Sequence, residues 1–190
     1  MPILEPRGGL ETDDSAGVTL VKRRARAVES YIAASLAIES LLIVLVVLRL
    51  VHGSWWWVVI GFATLKIIEI VQVTVNATIF DRFAASAGNK VASVPRMVVL
   101  AFINFVELAA CFGLLFTVNL EKLNGAKGPA DAFYYSVITQ LTIGYGDVHP
   151  IGYMRAIAAI HGFIAIGFVA LVFARLMSAL PKIHSMFDER

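Results

Sequence analysis

Four blocks of apolar residues constrain this chain more than any other feature. They run near Tyr31–Val51, Trp55–Phe80, Pro95–Leu120 and Met154–Leu180, each at or above the roughly 20 residues a helix needs to cross a hydrocarbon core. Of the 190 residues, 58% are hydrophobic and only 16% charged, a balance foreign to soluble domains. Within lipid every backbone polar group must find its partner inside the protein. Blocks of this length therefore predict an all-α membrane protein with four transmembrane helices. A shorter apolar stretch, Ala132–Ile143, cannot span and reads as a re-entrant segment between the third and fourth helices.

The placement of charge orients these spans. Arg7, Lys22, Arg23, Arg24 and Arg26 precede the first block, Arg82, Lys90 and Arg96 lie between the second and third, and Arg175, Lys182 and Arg190 close the chain. The other side holds Arg49, Lys122, Lys127 and Arg155. Eleven basic residues against four put both termini in the cytoplasm of a multi-pass cell-membrane protein. The first block is too long for a signal-peptide core and reads as a retained helix. Cys111, the single cysteine, sits inside the third span and suits packing.

The expected organisation follows. Residues 1–29 form a cytoplasmic tail and juxtamembrane segment, 30–81 a peripheral hairpin turning at His52-Gly53-Ser54, and 82–94 a cytoplasmic linker. Residues 95–181 form one helix–short segment–helix module and 182–190 a short tail, from which we expect no appended regulatory domain. Trp55, Trp56 and Trp57 fall at the depth of an aromatic belt. Asp131 suits the N-cap or the first turn of a short helix running to about Leu141.

After that short helix comes Thr142-Ile143-Gly144-Tyr145-Gly146-Asp147. Gly144 and Gly146 can take backbone angles closed to other residues, so the strand can turn successive carbonyls one way. A row of carbonyls can replace the hydration shell of a cation. One chain supplies one such strand, so a closed ring calls for several copies. The Thr142 hydroxyl adds an innermost ring.

The segment Tyr134-Tyr135-Ser136-Val137-Ile138-Thr139-Gln140-Leu141-Thr142-Ile143-Gly144-Tyr145-Gly146-Asp147 resembles the pore helix and selectivity filter of the potassium channel family. The helix–pore loop–helix layout extends the resemblance over Pro95–Leu180. It implies a homotetramer in a lipid bilayer. Potassium would be held by carbonyls of Thr142, Ile143, Gly144 and Tyr145 and by the Thr142 hydroxyl. Gly146, Asp147 and Tyr135 would support the filter, with Asp147 bonded to the Tyr135 hydroxyl or else exposed at the mouth. The resemblance also implies that the fourth helix lines a cavity, with Gly167 as a hinge or a close-packing point and Ala174 and Ser178 as candidates for a narrow gate. Two residues depart from the pattern. Gln140 and Leu141 stand where the family commonly carries small or hydroxylated side chains. His149 either rings the outer mouth or is a solvated loop residue.

Glu39, Lys66, Glu69 and Glu107 lie deep in apolar blocks, where ionisable groups are costly. Lys66 and Glu69 share a helical face, and Glu39 is a candidate partner across the hairpin. The group reads as an orienting pair or as a reduced sensor. Lys66 is the lone basic residue within the second block. One charge moved across a membrane is worth about 2.3 kcal/mol per 100 mV, too little for steep voltage gating.

These residues lead us to expect a passive potassium-selective channel with potassium ions in its filter, no organic cofactor, no nucleic acid or soluble substrate, and no enzymatic activity. The alternatives are a modulatory or non-conducting subunit of a heteromeric channel, and a component of a potassium transporter.

Overall fold

The computed structural model describes the backbone of residues 30–85 and 94–179, with side chains for 30–78 and 96–178. The juxtamembrane tail, most of the expected linker and the C-terminal tail lie outside the described residues. Helix α1 covers Ser30–Val47, α2 Trp55–Ala85, α3 Val94–Val118, α4 Pro129–Gln140 and α5 Met154–Ala179. The chain divides into two compact units, Met1–Leu41 and Leu42–Arg190. The division falls within the first apolar block rather than at the expected linker. The second unit holds the candidate site described below.

Helices α1, α2, α3 and α5 are each long and apolar enough to cross a membrane. At ~1.5 Å per residue, the 31 residues of α2 exceed the ~30 Å hydrocarbon core. Asp81 and Arg82 therefore do not end the helix, as the sequence suggested; they continue it. The 12 residues of α4 are too few to cross.

Chain reversals are built from left-handed residues. Arg49 ends α1 at φ 57°, with Leu50 N–H donating to the Leu45 carbonyl and Arg49 N–H to that of Val46. This is the paired closure that satisfies the last carbonyls of a helix. Gly53 (φ 59°) completes the turn. Between α3 and α4 a short 3-10 turn, Leu120–Lys122, leads into strand β1, Leu123–Asn124. It pairs antiparallel with β2, His149–Pro150, in the register Leu123↔Pro150 and Asn124↔His149. Among the described residues this small ribbon is the one pair of strands, and the sequence had left both segments as loop.

Within this unit α3 packs on α4, α2 on α3 and α5, and α5 on α3 and α4. The core is Leu108, Cys111, Phe112, Leu114 and Phe116 of α3 with Ala132, Tyr135 and Ile138 of α4 and Met154 and Phe168 of α5. Cys111 is fully buried there. Gly113 sets the approach of α4, since a Cβ at that position would run into the Phe133 ring.

Candidate functional site

The start of α4 is set by local chemistry. Pro129 occupies the first turn, where its missing N–H costs nothing. The Asp131 carboxylate accepts from the N–H groups of Lys127 (2.6 Å) and Gly128 (3.1 Å). An acid here also opposes the positive end of the helix.

The other end of α4 delivers the segment of interest. Ile143 N–H donates to the Ile138 carbonyl at 2.9 Å, and Thr142 N–H to that of Thr139 at 3.0 Å. The same paired closure that ends α1 thus ends α4, and it needs a left-handed residue at Thr142, where φ is 58°. Glycine normally fills such a place; a β-branched residue there is strained. Beyond it, φ is positive again at Gly144 (59°) and Gly146 (80°), with Ile143 and Tyr145 outside that region. A segment whose φ alternates in sign can turn every second peptide over, which allows its carbonyls to gather on one side rather than alternate as in a strand. Residues 141–147 are all exposed in the single chain, Tyr145 by 70%.

Two clasps hold the far end of this segment. The Tyr134 hydroxyl donates to Asp147 Oδ2 at 2.9 Å. The sequence had assigned that bond to Tyr135. Tyr135 instead is buried, stands edge-on to Phe116 with ring centroids 4.9 Å apart, and directs its hydroxyl to Thr139. Adjacent helical residues point about 100° apart, so only the rotation of α4 decides which tyrosine faces Asp147. Partial desolvation and the Asp147 carboxylate both raise the Tyr134 phenol above its usual pKa. The second clasp is His149, with Nε2 3.1 Å from Asn124 Nδ2 and Nδ1 3.3 Å from the Gly146 carbonyl. The Asn124 amide nitrogen can only donate, so Nδ1 carries the imidazole proton and gives it to Gly146. Gly125, at φ 89°, leaves room for the Asp147 carbonyl.

Behind α4 runs a ladder. Ser136 Oγ donates to the Ala109 carbonyl at 2.7 Å, and Gln140 Nε2 to that of Phe105. Donors four apart on α4 meet carbonyls four apart on α3, one helical turn in each case. Gln140 Oε1 also faces His161 Nε2 of α5 at 3.1 Å. The sequence singled out Gln140 only as a departure and did not pair it with His161.

The residues assigned to hinge and gate lie on α5, which passes through Gly167 without a break. Ala174 is half-buried and Ser178 exposed, its hydroxyl donating to the Arg175 carbonyl at 2.7 Å. The expected intramembrane charge group is assembled differently. Lys66 Nζ is 3.5 Å from Glu69 Oε2, as the i, i+3 spacing suggested, and 3.6 Å from Glu107 Oε1 on α3. Glu107 is therefore a member of the group that the sequence noted without pairing. Glu39 belongs to the other compact unit.

Four membrane-length helices, with a short non-spanning helix and an irregular segment between the last two, define a multi-pass helical membrane protein. Residues 98–182 match the family model described as Ion channel, so this segment is similar to an ion-channel pore domain. Neither a curated protein nor a solved structure matched the chain.

Proposed function

We propose that four copies of this chain form a potassium-selective channel that conducts passively across the cell membrane. The observation that carries the reading is the alternation of positive φ at Thr142, Gly144 and Gly146 in a segment clasped at its far end. Four such segments about one axis stack the carbonyls of Thr142, Ile143, Gly144 and Tyr145, with the Thr142 hydroxyl below them. Dehydrated potassium ions sit between the rings and advance by knock-on. In this reading α4 is the re-entrant pore helix. Its carbonyl end, negative by the helix dipole, favours a cation at the membrane centre.

The exposed residues of one chain fit this assembly. Tyr145 is 70% exposed, and α5 presents Phe163, Ile166, Val169 and Phe173, a set that further copies and lipid would cover. The α5 face bearing Ala174 and Ser178 lines the inner cavity and its narrow end, and Gly167 is the point of bending. Both termini are cytoplasmic. The Lys66–Glu69–Glu107 group orients α2 on α3. Neither an organic cofactor nor a soluble substrate enters this reading.

Purified protein in liposomes loaded with potassium tests the proposal. Potassium efflux from this chain alone, blocked by barium, supports it. Efflux that requires a second protein identifies a modulatory subunit instead. Uptake against a gradient identifies a transporter component.

A further inference from the structure

Gln140 and His161 lie outside both the carbonyl row and the two clasps, yet both are buried, at 3% and 0% exposure. Gln140 is the last residue of α4, two positions before Thr142. Its Nε2 reaches the Phe105 carbonyl and its Oε1 the imidazole of His161. A main-chain carbonyl can only accept, so the amide nitrogen must face Phe105 and the amide oxygen His161. That oxygen in turn can only accept, so the His161 proton sits on Nε2. Nδ1 is then a bare lone pair, buried without a hydrogen-bond partner, on a ring stacked against Phe112 at 3.9 Å and 12°.

Packing does not account for a histidine here. A phenylalanine would stack on Phe112 as well and would leave no buried acceptor unpaired, a cost the histidine bears. The Nε2–H bond is what the histidine adds. We infer that His161 is a positioning residue: through Gln140 it clamps the end of α4 between α3 and α5 and fixes where the Thr142–Gly146 segment begins. The inference rests on the reading of that segment as the ion filter.

Strain at Thr142 makes the clamp necessary. A β-branched residue at φ 58° persists only where its surroundings over-determine it. Tyr134 and His149 restrain the segment on its far side, and Gln140 does so on the near side. Because His161 belongs to α5, the near end also follows the position of that helix.

Hydrogen exchange of the purified channel in lipid nanodiscs tests this. His161→Phe keeps the ring and its stacking and removes the donor, leaving Gln140 Oε1 unpaired. We expect amides 141–146 to exchange about tenfold faster, with α2 unchanged. His161→Gln carries an N–H at the reach of Nε2 and restores slow exchange. In bilayers the reversal potential in opposed potassium and sodium moves toward zero for His161→Phe and returns in His161→Gln. Wild-type exchange rates in His161→Phe, or equal acceleration in both variants, would overturn the inference. A wild-type channel without potassium selectivity would sink the filter reading while the exchange result still decides the clamp. If His161→Phe fails to assemble, the nitrogen-15 spectrum of the wild-type imidazole decides: protonated Nε2 with bare Nδ1 supports the clamp, and the opposite tautomer overturns it.

Discussion

The Tyr134 hydroxyl donates to Asp147 across 2.9 Å, joining the first half of a 12-residue helix to the end of the segment it launches. The fourteen residues from Tyr134 to Asp147 are thereby closed into a loop, so the irregular backbone between them is held at both ends. Tyr134→Phe removes the donor and nothing else. We expect an assembled channel whose conducting periods shorten, because the bond that closes the loop is lost. Tyr134→Trp, with its indole N–H, recovers them. Single-channel dwell times measure both.

The same bond has a defined pH dependence. The Tyr134 pKa is raised by partial desolvation and by Asp147, and a raised phenol pKa means the protonated donor is the stabilised form. Its contribution is complete below the usual tyrosine value of about 10 and is lost as pH rises through the shifted value. Dwell times that shorten between pH 7 and 9 in the wild type, and equally in Tyr134→Phe, must come from another group. The prediction is that the Tyr134-dependent difference stays constant over that interval.

Lys66 stands between Glu69 and Glu107 at 3.5 and 3.6 Å. Lys66→Met strands a buried carboxylate at Glu107. We expect a destabilisation of about 3–5 kcal/mol, the scale for breaking a buried ion pair, seen as a lower thermal midpoint in detergent. Lys66→Met with Glu107→Leu should recover most of it, because removing both charges removes the stranded one. A double variant as unstable as the single one would show that the pair is not the source.

Thr142 trades stability for chemistry. Thr142→Gly relieves the strain of φ 58° and should raise the thermal midpoint in sodium by the equivalent of ~1 kcal/mol. It also deletes a hydroxyl proposed to face potassium. The extra stabilisation on exchanging sodium for potassium should therefore shrink, and melting curves in the two salts measure it.

Gly113 is a packing requirement. Gly113→Ala pushes a methyl into Phe133, and overpacking of this kind costs about 1–3 kcal/mol. Gly113→Ala with Phe133→Leu should recover part of the lost stability, read as the thermal midpoint in detergent.

What the sequence made legible was whatever depends on length and local chemistry. The spans followed from unbroken apolar runs, the start of α4 from Asp131, and the irregular segment from Gly144 and Gly146. What it left hidden depends on rotation and on distant contacts. Choosing Tyr134 over Tyr135 needs the angle of α4 about its own axis. Joining Lys66 to Glu107, or Gln140 to His161, needs two helices docked side by side, and spacing along one chain carries no record of that. The left-handed Thr142 was equally invisible, because threonine is among the last residues expected at such an angle.

The central claim is that main-chain carbonyls of Thr142–Tyr145 select potassium. The most direct test is the reversal potential of the purified protein in a planar bilayer with potassium on one side and sodium on the other. The account predicts a value near the potassium equilibrium potential in the wild type and a collapse toward zero in Gly144→Ala, whose added Cβ disfavours φ 59°. A wild-type reversal near zero, or selectivity unchanged by Gly144→Ala, would contradict it.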